Sequence, residues 1–282
     1  MSQYNLKRII KKDGTKFGTG IFEFTTPGIG YILKQGGCDF AFIDMEHSGI
    51  GIDKIKSLLR YLEAAELPAF VRPPSDHYHD ISVLLDVGAE GILLPLINNA
   101  KQAKNAISSI KYPPNGKRGV AMGLGGNLWE DTPHAEGQMR SNENIVIIML
   151  IETKEGVSNV EEIASLEGVD ALWIGHSDLS ASLGIPGQFN HPDFKLAVKK
   201  VVDSAKKNGL HLGRLTQNIS DTRRFIEDGY DLICSSYLDF EESLTNKSVN
   251  KPFSHFSKLP KLLQIILPKN KVLGCCIGFR KS

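Results

Sequence analysis

The sequence predicts an α/β fold, a single (β/α)8 barrel, and three observations carry that expectation. Short apolar runs alternate with longer amphipathic ones along the chain, the pattern of βα units on a parallel sheet. The apolar runs number eight, enough to close a barrel rather than leave an open sheet. The 282 residues, 41% hydrophobic and 23% charged, suffice for one such barrel around one large core.

Strands are expected at 19–24, 40–46, 69–72, 91–96, 145–152, 171–175, 211–215 and 231–235. They are rich in Ile, Leu and Val on both faces, because one face fills the barrel and the other meets helices. Helical periodicity marks 52–66, 80–87, 100–110, 160–166, 193–208 and 220–228. Gly88, Gly209 and Gly229 follow three of these and suit the left-handed residue that closes a helix. The connection from Tyr112 to Asn144 is unusually long and rich in Gly and Pro, so it is expected to be functional or to make a subunit contact.

Composition narrows the partners. Lys+Arg 33 against Asp+Glu 32 leaves a net charge of +1, with no basic run to hold a nucleic-acid backbone. No stretch approaches the roughly 18 apolar residues of a membrane span, and no apolar signal region follows the basic N-terminus. Cys38, Cys234, Cys275 and Cys276 show no CxxC spacing, which argues against a disulfide framework or a zinc site. A soluble, cytoplasmic protein with bystander cysteines is expected.

Barrel enzymes carry their reactive groups at the C-terminal ends of the strands. Here those ends offer Asp44-Met45-Glu46-His47, Arg72, Glu152 and Gly175-His176-Ser177-Asp178. Glu152 and Asp178 follow apolar strands, where a lone carboxylate costs several kcal/mol or protonates, and a shared divalent cation removes that penalty. Two carboxylates without a third strong ligand suit Mg2+ or Mn2+, hard ions that keep positions open for a 2-oxo carboxylate. The alternative is that each carboxylate caps a helix or pairs with an arginine. Arg72 suits a substrate carboxylate or an enolate oxygen, or else an ion pair with Asp44 or Glu46. His47 suits transfer of a hydroxyl proton, with Asp44 orienting its ring. His176 stays open between proton carrier, a group behind the ligands and a satisfied polar residue. No expected strand ends in Lys, which counts against a Schiff-base route.

The segments FIDMEH (42–47), VRP (71–73), LLDVGAEGILLPLI (84–97), YPPNGKRG (112–119), IE (151–152) and GHSDLS (175–180) occur in this order and spacing. Together they resemble the HpcH/HpaI aldolase family, the class II pyruvate aldolases, which take in 4-hydroxy-2-oxoheptanedioate and 2-dehydro-3-deoxyglucarate aldolases. The resemblance spans about 18 to 235. It implies metal ligands at Glu152 and Asp178, an acid/base pair of His47 with Asp44, and enolate stabilisation by Arg72. It further implies substrate contacts at Arg72, Gly175, His176 and Ser177, supporting positions at Asp86 and Glu46, with Asp86 near a subunit interface, and a trimer or hexamer. One divalent cation per site, Mg2+, Mn2+ or Co2+, and a 4-hydroxy-2-oxo acid split into pyruvate and an aldehyde follow from it. The rival readings are a malyl- or citramalyl-CoA lyase of the same superfamily and a catalytically impaired 2-oxo acid-binding barrel.

Two departures stand out. His176 occupies a place where many members have Pro, so different substrate contacts are expected. After residue 236 no clear final amphipathic helix follows. The expected division is therefore a barrel over 1–236 and a divergent tail over 237–282, with 255–275 packing poorly.

Overall fold

The computed structural model describes residues 5–236. The expected tail, 237–282, lies outside the described residues, as does the expectation for 255–275.

Eight parallel strands close into a barrel in chain order, with β1 hydrogen-bonded to both β2 and β8. In sequence the elements are α1 (Leu6–Ile10), β1 (Lys16–Ile21), α2 (Ile29–Gln35), β2 (Phe40–Asp44), α3 (Ile52–Ala64), β3 (Ala69–Arg72) and α4 (Tyr78–Asp86). There follow β4 (Gly91–Leu94), α5 (Ala100–Ile110), a 3-10 turn (Gly125–Asn127), α6 (His134–Asn144), β5 (Val146–Ile151), α7 (Lys154–Ser158) and α8 (Val160–Ala164). The chain closes with β6 (Ala171–Ile174), α9 (His176–Ser182), α10 (Pro192–Lys207), β7 (His211–Thr216), α11 (Ile219–Asp228) and β8 (Leu232–Ser236).

The period of two along each strand divides the core into two layers. Outward residues such as Ile43, Val71, Ile92 and Leu172 pack under the helices. Inward residues fill the barrel with rings: Phe42 stacks on Phe70 at 5.2 Å, and Phe70 meets Trp173 edge-on at 5.5 Å. Glycines on facing strands make the room, since a Cβ at Gly18 would lie 2.1 Å from Phe40 and one at Gly213 would lie 2.0 Å from Trp173. From below, α1 plugs the barrel with Leu6 and Ile10, and the Glu90 carboxylate accepts the Leu6 N–H at 2.8 Å.

The first strand begins three residues earlier than expected. Its register is fixed on both sides, Lys16 to Leu232 and Gly18 to Phe40, and Phe24 is left exposed beyond its end. The three anticipated closing glycines all have positive φ. The long connection is not a bare loop: it carries the 3-10 turn and α6, and it runs along α4, where Gly119 N–H donates to the Tyr78 hydroxyl at 2.8 Å. Because it joins α5 to β5, it leaves and re-enters the barrel on the face opposite the strand C-termini.

Candidate active site at the barrel mouth

Strand alternation delivers the first three polar groups. Residues 40 and 42 point inward on β2, 70 on β3, and 146, 148 and 150 on β5, so Asp44, Arg72 and Glu152 are the next inward positions. Asp44 and Arg72 are register partners. Their side chains meet in a fork, Nε to Oδ1 and Nη2 to Oδ2, both at 2.7 Å, with Asp44 wholly buried. The third nitrogen, Nη1, lies 2.9 Å from Glu46, and the guanidinium sits over the Phe42 ring at 5.8 Å. Burial works against the charge of Arg72, but Asp44, Glu46 and Glu152 outweigh it and raise its pKa.

The Asp44 carboxylate also accepts the backbone N–H groups of Glu46 at 3.1 Å and His47 at 3.4 Å, which bends the chain sharply at the strand end. Its hydrogen-bond and ion-pair partners among the described residues do not include the His47 ring. That ring is 63% exposed, and its Nε2 stands 3.8 Å from Glu46, so the carboxylate beside the imidazole is Glu46 rather than Asp44. The expected partner is thereby corrected: a buried acid facing an arginine on the next strand is already spent. Burial pushes the Glu46 carboxyl up, against the opposing pull of Arg72.

Glu152 is 2% exposed, and its Oε1 accepts the Leu96 N–H at 2.8 Å. Leu96 reaches it from a left-handed conformation, φ 51°, an uncommon one for a leucine. Gly175 lies against the other side, where an added Cβ would come within 2.5 Å of Oε2. Burial first, then the charges of Asp178 and Glu46, raise Glu152 to about 7. Asp178 itself does not end a strand. The chain turns into α9 directly after Ile174 and Gly175, so Asp178 stands in the first helical turn and is exposed.

The remaining expected residues are dispersed. His176 turns its ring to Phe189, 5.1 Å away edge-on, with Nε2 3.4 Å from Gln217; burial and Arg214 lower its pKa to about 4, so it is neutral. Ser177 is exposed, and its carbonyl accepts the Ser180 hydroxyl at 2.7 Å. Asp86 closes α4 on the far face of the barrel and pairs with Arg118 at 2.7 Å. The sequence reading missed Leu96, whose role is carried by its backbone; the break that Pro95 makes in an apolar run was the available signal.

The residues at the mouth fit a cation. Glu152 is desolvated, bonded on one oxygen, and crowded by two further acids, so a positive charge there removes both the burial cost and the repulsion. No cluster of three or more acidic, His or Cys ligands occurs among the described residues.

A closed parallel barrel thus gathers acidic side chains, a locked arginine and an exposed imidazole at one mouth, an arrangement found in barrel enzymes. The chain belongs to the HpcH/HpaI aldolase/citrate lyase family, which matches residues 26–237. It is 36% identical over 217 residues to the 5-keto-4-deoxy-D-glucarate aldolase of Klebsiella pneumoniae, covering 77% of this chain and 84% of that one. The same-named protein of Enterobacter is 35% identical over the same length. Among solved structures, an HpcH/HpaI aldolase from Desulfitobacterium hafniense superposes with a TM-score of 0.81 at 28% identity, covering 88% of this chain and 98% of that one. The protein is accordingly a carbon–carbon lyase, a class II pyruvate aldolase of a family that is generally dependent on a divalent metal.

Proposed function

We propose that the protein cleaves a 4-hydroxy-2-oxo acid to pyruvate and an aldehyde, or joins the two, at the mouth formed by Asp44, Glu46, His47, Arg72, Glu152 and Asp178. The observation that carries this reading is the buried Glu152 carboxylate, raised to about 7 beside Asp178 and Glu46, with Arg72 the facing cation. The named relatives point to a substrate like 5-keto-4-deoxy-D-glucarate, which is a 4-hydroxy-2-oxo acid when numbered from its keto end and leaves an aldehyde bearing a carboxylate.

Glu152 and Asp178 would hold a divalent cation, Mg2+, Mn2+ or Co2+. When bound, it supplies Lewis-acid polarisation of the 2-oxo group and charge neutralisation as the bond breaks. Arg72 offers Nη1, which it shares with Glu46 at 2.9 Å, to the enolate oxygen, since Nε and Nη2 are held by Asp44. His47 takes the proton of the 4-hydroxyl, with the Glu46 carboxylate 3.8 Å from its Nε2. Gly175 and Ser177, at the start of α9, would meet the substrate carboxylate, and His176 would shape the wall behind them.

The site works in a cytoplasmic homo-oligomer, a trimer or hexamer, in this proposal. Exposed Val120, Leu124, Leu128 and Trp129 on the long connection, and Asp86 beside it, support a subunit contact there. A reducing cytoplasm suits the buried thiol of Cys38.

The test is pyruvate release from EDTA-treated protein, before and after each cation is restored, across a panel of 4-hydroxy-2-oxo acids. Cation-restored pyruvate formation is the expected result. Binding of the cation without pyruvate from any donor would overturn the proposal, and a parallel coenzyme A titration identifies a CoA-thioester lyase instead.

A further inference from the structure

Alternation along β7 turns Gly213 toward the barrel interior and Arg214 outward, into the layer where strands meet helices. That layer elsewhere takes Ile, Leu and Val. Arg214 is only 7% exposed, and its Nε has no hydrogen-bond partner among the described residues. Its guanidinium rests 4.4 Å from the Phe225 ring and 5.9 Å from Phe194. Burial works against its charge, the neighbouring Tyr230 hydroxyl favours it, and Asp221, the acid that also acts on it, is bonded to Arg224 at 2.8 Å. A desolvated guanidinium without a carboxylate partner is an expensive thing to keep unless an anion meets it.

Room for an anion exists. Between α10 and α11, outside β7, lies a groove of about 740 Å3 lined by His176, Phe189, Phe194, Lys195, Arg214 and Phe225. This is within the usual size of small-molecule sites, which combine apolar walls with a few polar anchors. Lys195 adds a second cation without an ion-pair partner among the described residues. Of the groove's acids, Asp221 pairs with Arg224 at 2.8 Å, while Lys206 donates to the Asp228 backbone carbonyl at 3.1 Å.

We propose that this groove binds a small organic anion, a carboxylate or phosphate on an apolar body, with Arg214 anchoring the charge and the phenylalanines holding the body. The site is distinct from the mouth, and it reaches α9 through His176, two residues before Asp178. The proposal does not rest on the aldolase reading.

Calorimetric titration of the full, EDTA-treated chain with benzoate and, separately, with inorganic phosphate tests it. At least one probe should bind at one per chain, and Lys195→Glu and Arg214→Met should each weaken it tenfold or more. Arg72→Gln, at the mouth, should leave it unchanged. Benzoate alone would assign a carboxylate on an aromatic body, and phosphate alone a phosphoester. Should Arg214→Met not fold, Lys195→Glu decides. No binding of either probe up to about 10 mM, or binding that survives Lys195→Glu but is lost in Arg72→Gln, would overturn the site.

Discussion

Arg72 clasps Asp44 across the β2–β3 pair through two parallel hydrogen bonds of 2.7 Å, so this cation at the barrel mouth is fixed by a residue that itself faces no solvent. Removing one partner of a buried pair leaves the other charge uncompensated, at a cost of about 3–5 kcal/mol. Asp44→Ala should therefore lower stability by that order in chemical denaturation. Arg72→Lys should keep the fold yet lose most turnover, because an ammonium cannot fork to Asp44 and still reach outward.

Glu152→Ala and Asp178→Ala should each keep a folded barrel, by circular dichroism, and lose cation-dependent pyruvate formation. Asp178 is exposed and Glu152 buried, so only the second should also move the melting temperature of cation-free protein. Full activity in Asp178→Ala would remove it from the ligand set.

The carboxyl of Glu152 stands at about 7 in the fold against an ordinary 4.5. An acid with a raised folded value binds its proton better in the folded state, so cation-free protein loses stability as pH rises from about 4.5 through 7. Glu152→Gln carries no such charge. It should exceed the natural protein in stability above pH 7 by on the order of 3 kcal/mol, and the gain should vanish near pH 5, as read from denaturation midpoints in EDTA.

Gly175→Ala places a methyl group within 2.6 Å of the Glu152 side chain. The carboxylate must shift, so Mn2+ affinity by calorimetry should fall at least tenfold while the melting temperature moves little. Unchanged affinity would mean that Glu152 has freedom the packing denies.

The barrel and three of its mouth residues were legible because one rule, alternation within apolar strands, governs both. Asp44, Arg72 and Glu152 are simply the inward positions after Phe42, Phe70 and Leu150. The position of Asp178 in a helical turn was not legible, because nothing in WIGHSD shows that a helix begins right after Gly175. Partner choice was harder still. Whether Asp44 turns to His47 or Arg72 depends on the neighbouring strand, and the sequence near His47 carries no record of it. The short helices α1, α2, α7 and α9 escaped because five to seven residues are too few to display a helical period.

The rings inside the barrel have a bearing on how this enzyme could change. Phe42, with Arg72 above its ring, packs on Phe70 and Phe70 on Trp173, and the glycines facing Phe40 and Trp173 are already as small as a residue can be. The reaction chamber has a solid floor that cannot be excavated without collapsing the column. Longer or bulkier aldehydes can be accommodated only sideways, by rebuilding the rim loops, and selection for new substrates should leave its mark there and spare the interior.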